Sequence, residues 1–132
     1  MTITLTYPEL QDLIRRKLQI DFLFSYSDNK TVCIHPGMNI DVDVSINEII
    51  DGNSICLTYK TNPRFMKPIT DFLFNILNKY PEVIEKVAQT YIIHLDKINE
   101  LQSILSKAYL KEIHFDEYDG MVAEFSLTNK NE

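Results

Sequence analysis

Residues 38–46, Met38-Asn39-Ile40-Asp41-Val42-Asp43-Val44-Ser45-Ile46, decide the fold, because apolar and polar side chains alternate along the whole stretch. A period of two is the signature of a strand, so Met38, Ile40, Val42, Val44 and Ile46 share one face while Asn39, Asp41, Asp43 and Ser45 share the other. Such a strand belongs to an antiparallel sheet with one dry and one wet side. The Asp-x-Asp pair also poses a chemical question, since two carboxylates on one strand face can hold a hard cation. A complete shell needs further oxygen ligands, and Asn39 and Ser45 supply them poorly. The simpler reading is a charged face that keeps one side of the strand wet and unattractive to stray pairing.

The alternation extends in both directions. Upstream, "IDFLFSY" (20–26) and "TVCIH" (31–35) flank Ser27-Asp28-Asn29-Lys30 and read as a hairpin, with Pro36-Gly37 making the next turn. Downstream, "NEIIDGN" supplies a turn, and "SICLTYKT" resumes the pattern with Ile55, Leu57 and Tyr59 on one face. The result is a meander of four strands. Before it, "TYPELQDLIRRKLQ" carries Thr6 as N-cap, Pro8 in the first turn and Glu9 three residues after Thr6, a capping box. The helix that follows shows an apolar stripe of Leu10, Leu13, Ile14 and Leu18.

The dry face of the sheet needs a cover. In "NPRFMKPITDFLFNILNKYP" helical spacing gathers Phe65, Met66, Ile69, Phe72, Leu73, Ile76 and Leu77 into an arc of about 140°, which Phe74 widens to about 200°. This exceeds what one sheet contact requires, so the helix is expected to be covered on two sides, to border a ligand groove, or to present a dimer face. The next segment, 81–108, fits a heptad as one helix, but such a rod would be about 42 Å long. A compact domain of this length has a radius of gyration of only about 14 Å. The β-formers Thr90-Tyr91-Ile92-Ile93 favour a short helix over 82–88, a strand over 90–96 and a second helix through "NELQSILSKA". "YLKEIHFDE", the Asp119-Gly120 turn and "MVAEFSL" form a C-terminal hairpin, and 129–132 are expected to fray.

The expected class is therefore α+β: a single domain over 1–128 with a mainly antiparallel, twisted sheet covered by helices on one face. The chain has 132 residues, 45% of them apolar and 24% charged, the composition of one ordinary globular domain. A net charge of −6 argues against nucleic acid, whose binders displace counterions with a cationic surface. The basic run Arg15-Arg16-Lys17 reads as a solvated helix face. No run approaches the roughly 18 apolar residues of a membrane span, and no leader pattern opens the sequence, so a cytoplasmic location is expected. Cys33 and Cys56, each within a β-like run, are expected to be reduced and partly buried.

Few residues suggest chemistry. His94 and Asp96, and then Glu112, His114 and Asp116, are spaced to share strand faces. If those strands pair, His94, His114 and Asp116 offer ligands for zinc or iron and a metal-dependent hydrolase. The alternative is that Ile113 and Phe115 face the core while the polar residues face water. "DEYDG" lacks the spacing of a calcium loop. His35 can share a strand face with Cys33, but the local sequence offers no third group to orient such a dyad. No catalytic residue and no cofactor is assigned.

In pattern, "LTYPELQDLI", "IDVDVSINEIIDGNSICLTY", "IIHLDKINELQSIL" and "LKEIHFDEYDGMVAEFSL" resemble bacterial proteins of uncharacterised function with a tubular lipid-binding (TULIP-like) type of fold. The resemblance implies an amphipathic helix in the concave face of a twisted sheet, with apolar space between them for acyl chains. The leading expectation is a non-enzymatic module with an apolar groove for a lipid-like ligand or a partner protein. Its lining is expected from Leu13, Ile14, Leu18, Val42, Val44, Leu57, Met66, Phe72, Leu73, Ile76 and Leu77. The second is a structural or regulatory homo-oligomer that associates through Phe74.

Overall fold

The computed structural model describes residues 1–19, 21–37 and 40–128. Among them the chain forms an α+β domain of nine strands in two antiparallel sheets and three helices. The meander is present as β2 (Leu23–Asp28), β3 (Thr31–Gly37), β4 (Ile40–Ile50) and β5 (Ser54–Thr61). It is extended by β7 (Thr90–His94) and β6 (Ile84–Val87) into a six-stranded sheet of order β2-β3-β4-β5-β7-β6. The second sheet, β1-β9-β8, joins the hairpin of β8 (Ala108–Asp116) and β9 (Gly120–Leu127) to an N-terminal strand, β1 (Thr2–Leu5), which the sequence reading did not anticipate. Residues 129–132, expected to fray, and Met38 and Asn39 lie outside the described residues.

Alternation in β4 appears as expected over the described positions: Val42 and Ile46 are buried, Asp41 and Asp43 exposed. Register carries the pattern across the sheet, with Val32 opposite Val44, Ile34 opposite Val42 and Leu57 opposite Ile46. Two different layers cover the dry face. Toward the β2–β3 and β4–β5 turns, Val32, Ile46 and Ile55 pack on Leu110, Ile113, Phe115, Ala123 and Phe125 of the smaller sheet. Toward the other end lies α2 (Met66–Lys79), with Ile69 and Ile76 buried.

The turns of the large sheet dock directly on β8. Leu110 N–H donates to the Gly52 carbonyl at 2.7 Å and Phe115 N–H to the Asn29 carbonyl at 2.8 Å, while Lys30 Nζ donates to the Ile113 carbonyl at 3.0 Å. These bonds occupy backbone groups that an open sheet edge would leave available for pairing.

The capping box forms as expected at α1 (Tyr7–Leu18): the Thr6 hydroxyl accepts from Glu9 N–H, and the Glu9 carboxylate accepts from Thr6 N–H. Of the basic run, Arg15 and Arg16 pair with Asp12, and Lys17 pairs with Glu100. Neither the long rod nor the short helix expected over 82–88 is present. Ile84–Val87 is instead an edge strand paired with β7 through a turn in which Ala88 takes φ of +57°. Tertiary pairing overrides the helical look of "EVIEKV". The strand near 90 and the helix after it are observed, the latter as α3 (Asn99–Leu105). No helix among the described residues is long and apolar enough to cross a membrane.

Candidate functional site

Between α2 and the dry face of β3, β4 and β5 lies an apolar pocket of about 170 Å³. That is on the order of the 150 Å³ apolar cavities that stay dry and admit benzene. Its floor comes from alternate strand positions, Ile34, Val42, Val44, Leu57 and Tyr59. Its roof is Ile69, Phe72, Leu73 and Ile76, spaced three and four apart along α2 so that they share one helix face. Phe22 and Pro36 contribute at the margin, and the Phe22 ring meets Phe72 edge-on with centroids 5.5 Å apart.

Of the residues expected to line a groove, Val42, Val44, Leu57, Phe72, Leu73 and Ile76 meet here. Leu13 and Ile14 are half-buried on α1 and do not line the pocket, and neither does Leu77 on α2. Met66 opens α2 and is 43% exposed. The side chain of Leu18 lies outside the described residues. Phe74 points away from the roof and is 61% exposed. Phe22, Ile34, Pro36, Thr58, Tyr59 and Ile69 were missed. Ile34 was legible, since it occupies the same phase of β3 as Val32, and so was Phe22, which keeps phase with Phe24 although β2 itself begins at Leu23.

The polar residues fall into separate places. His94 ends β7, while His114 and Asp116 lie on β8 in the other sheet, so the strands that would have joined them do not pair. His94 instead sits between the Ser54 hydroxyl, 2.9 Å from Nδ1, and Glu85, 2.8 Å from Nε2. Ser54 is buried, and this row ties β5, β7 and β6 together. The Asp116 carboxylate accepts the N–H groups of Tyr118 and Asp119 at 2.9 Å each, and these bonds hold its pKa below the ordinary value. His114 Nδ1 is 3.7 Å from Glu112. Both cysteines are free thiols, Cys56 buried and Cys33 half-buried.

The wet face of β2, β3 and β4 holds a cluster that the sequence alone did not assemble. His35 is fixed at both ring nitrogens, with Nε2 3.1 Å from the Ser25 hydroxyl and Nδ1 2.5 Å from Asp41. Cys33 stands directly across the ladders from Ser25 and Asp43. Its thiol pKa is raised by burial first, then by the charges of Asp43 and Asp41. The chain matches no protein-family model, no curated protein and no solved structure at a significant level.

Proposed function

We propose that this protein is a non-enzymatic binding module that takes a small apolar molecule, or the end of an acyl chain, between α2 and the large sheet. The observation that carries this reading is the apolar pocket of about 170 Å³ lined by both layers. Burying an alkyl group there contributes about 0.8 kcal/mol per CH₂, and no lining side chain other than Tyr59 and Thr58 carries a polar atom. The resemblance to tubular lipid-binding modules supports the same class of ligand. Native mass spectrometry of freshly purified protein tests it: a retained mass that leaves on activation, and is absent from Val44→Phe, is expected. Wild-type protein that neither retains nor takes up decanoate would refute it.

A second reading rests on Phe74, a large apolar side chain exposed on the helix that roofs the pocket. An isologous contact through this ring would make a homodimer. Sedimentation of wild type and Phe74→Lys decides it: a dimer converted to a folded monomer supports the interface, and a wild-type monomer at high concentration removes it.

A further inference from the structure

The polar cluster on the opposite face of β3 and β4 has the composition of a metal site. β3 places Cys33 and His35 side by side at i and i+2 on its outer face, and β4 runs antiparallel next to it with Asp43 opposite Cys33. The register therefore brings Asp41 next to His35. The ligating atoms of Cys33, His35 and Asp41 all lie within 4.8 Å of one another, and they are the one such group of three or more found among the described residues. A tetrahedral zinc with ligands at about 2.0–2.3 Å sets them roughly 3.3–3.8 Å apart. The His35 Nδ1–Asp41 pair, at 2.5 Å, must therefore open and the wider separations, up to 4.8 Å, must close, each by up to roughly an ångström, and the Asp41 side chain, 68% exposed, is free to make that movement.

We infer that Cys33, His35 and Asp41 form a three-ligand site for zinc, with the fourth position left to water or to an exogenous ligand. A thiolate and a carboxylate together neutralise a divalent cation, and the mixture of sulfur, imidazole and oxygen donors suits zinc better than calcium or magnesium. Asp43 adds a further negative charge beside Cys33. The surrounding carboxylates that disfavour a bare thiolate favour one whose proton is replaced by a cation, so binding releases a proton from the thiol. Ser25, 3.1 Å from His35 Nε2, would orient the ring while Nδ1 meets the metal, the usual arrangement of an outer partner behind a histidine ligand.

The same atoms also show the order of a serine-hydrolase triad, hydroxyl to Nε2 and Nδ1 to carboxylate. Acyl transfer needs donors aimed at an oxyanion. Ser25 lies on the edge strand β2, and the N–H of Phe24 beside it is already taken by Gln11 Oε1 at 3.0 Å. The metal reading requires no such feature.

Cobalt, which takes zinc sites and reports its ligands spectroscopically, is the probe. Untagged, chelator-stripped protein titrated with Co²⁺ is expected to develop a thiolate-to-metal charge-transfer band that saturates at one equivalent and is displaced by Zn²⁺. The band should persist in Cys56→Ser and disappear in Cys33→Ser. Affinity should fall by at least about 10–100-fold in Asp41→Asn, with unchanged far-ultraviolet circular dichroism. Asp41 is exposed, so its variant carries the test even if Cys33→Ser fails to fold. No charge-transfer band in excess cobalt, or a band that survives Cys33→Ser, overturns the assignment. Labelling of Ser25 by a fluorophosphonate in metal-free protein would likewise overturn it, in favour of a nucleophile.

Discussion

At Gly120 the backbone takes φ of +94°, and a Cβ there would stand 2.2 Å from the Leu5 carbonyl oxygen and 2.7 Å from Thr6 Cα. The contact is with backbone on both counts, so no side chain can move aside. Gly120→Ala is expected to cost more than about 2 kcal/mol, read as a lowered urea midpoint at unchanged slope; a loss under 0.5 kcal/mol, which is roughly the surface norm, would contradict the packing of the β8–β9 turn on the β1–α1 junction. Asp116, four residues earlier, titrates within the same turn. Its folded pKa is depressed by the N–H groups of Asp119 and then Tyr118, so its contribution is present above the unfolded value and is lost as pH falls below about 4. Thermal melts between pH 7 and pH 2 should show this decline, and Asp116→Asn should flatten it; an equal decline in the variant would remove Asp116 as a source. The turn was legible from its Asp119-Gly120 signal, whereas the cap by Asp116, which the sequence offered as a metal ligand, and the docking of Gly120 on Leu5 and Thr6 were not. The Cys33–His35–Asp41 cluster was not, because it depends on which residue of β4 faces which residue of β3, with an irregularity between Ile34 and Gly37.

Helix α1 is closed by a reciprocal cap, whereas α2 begins without any side-chain cap bond and has only Ile69 and Ile76 buried. Thr6→Ala should therefore cost about 1 kcal/mol, measured by urea denaturation, with the N-terminal turn of α1 exchanging its amides faster. Hydrogen exchange should find α2 less protected than β4, β5 and β8, since few buried contacts hold it, and added decanoate should slow its exchange; equal protection in the free protein would contradict a loosely held roof. The amphipathic spacing of α1 and α2 is long enough to read from the chain. β1 has four residues and β6 four, too few for alternation to declare itself, and each exists because a partner strand is there to pair with it. The helix expected over 82–88 failed for that reason: the pairing of Ile84–Val87 with β7 was not written in local propensity.

Two cores share one sheet. Leu110 is 2% exposed where the smaller sheet meets the larger one, and Leu110→Ala should cost about 2–5 kcal/mol while the protein still unfolds in one transition; separate melting of two parts would show that the sheets are independent. The other half of the same dry face carries the pocket and its helix, and the wet face of β3 and β4 carries the polar cluster. Strand alternation thus places the apolar pocket and the polar cluster on opposite faces of one sheet. The most direct test of the proposed binding function is methyl NMR on protein labelled at Ile, Leu and Val, titrated with decanoate. Saturable shifts concentrated at Ile34, Val42, Val44, Leu57, Ile69, Leu73 and Ile76 are expected, with Ile104 and Leu105 unmoved. Absence of shifts at saturating ligand, or shifts centred away from α2, would contradict it.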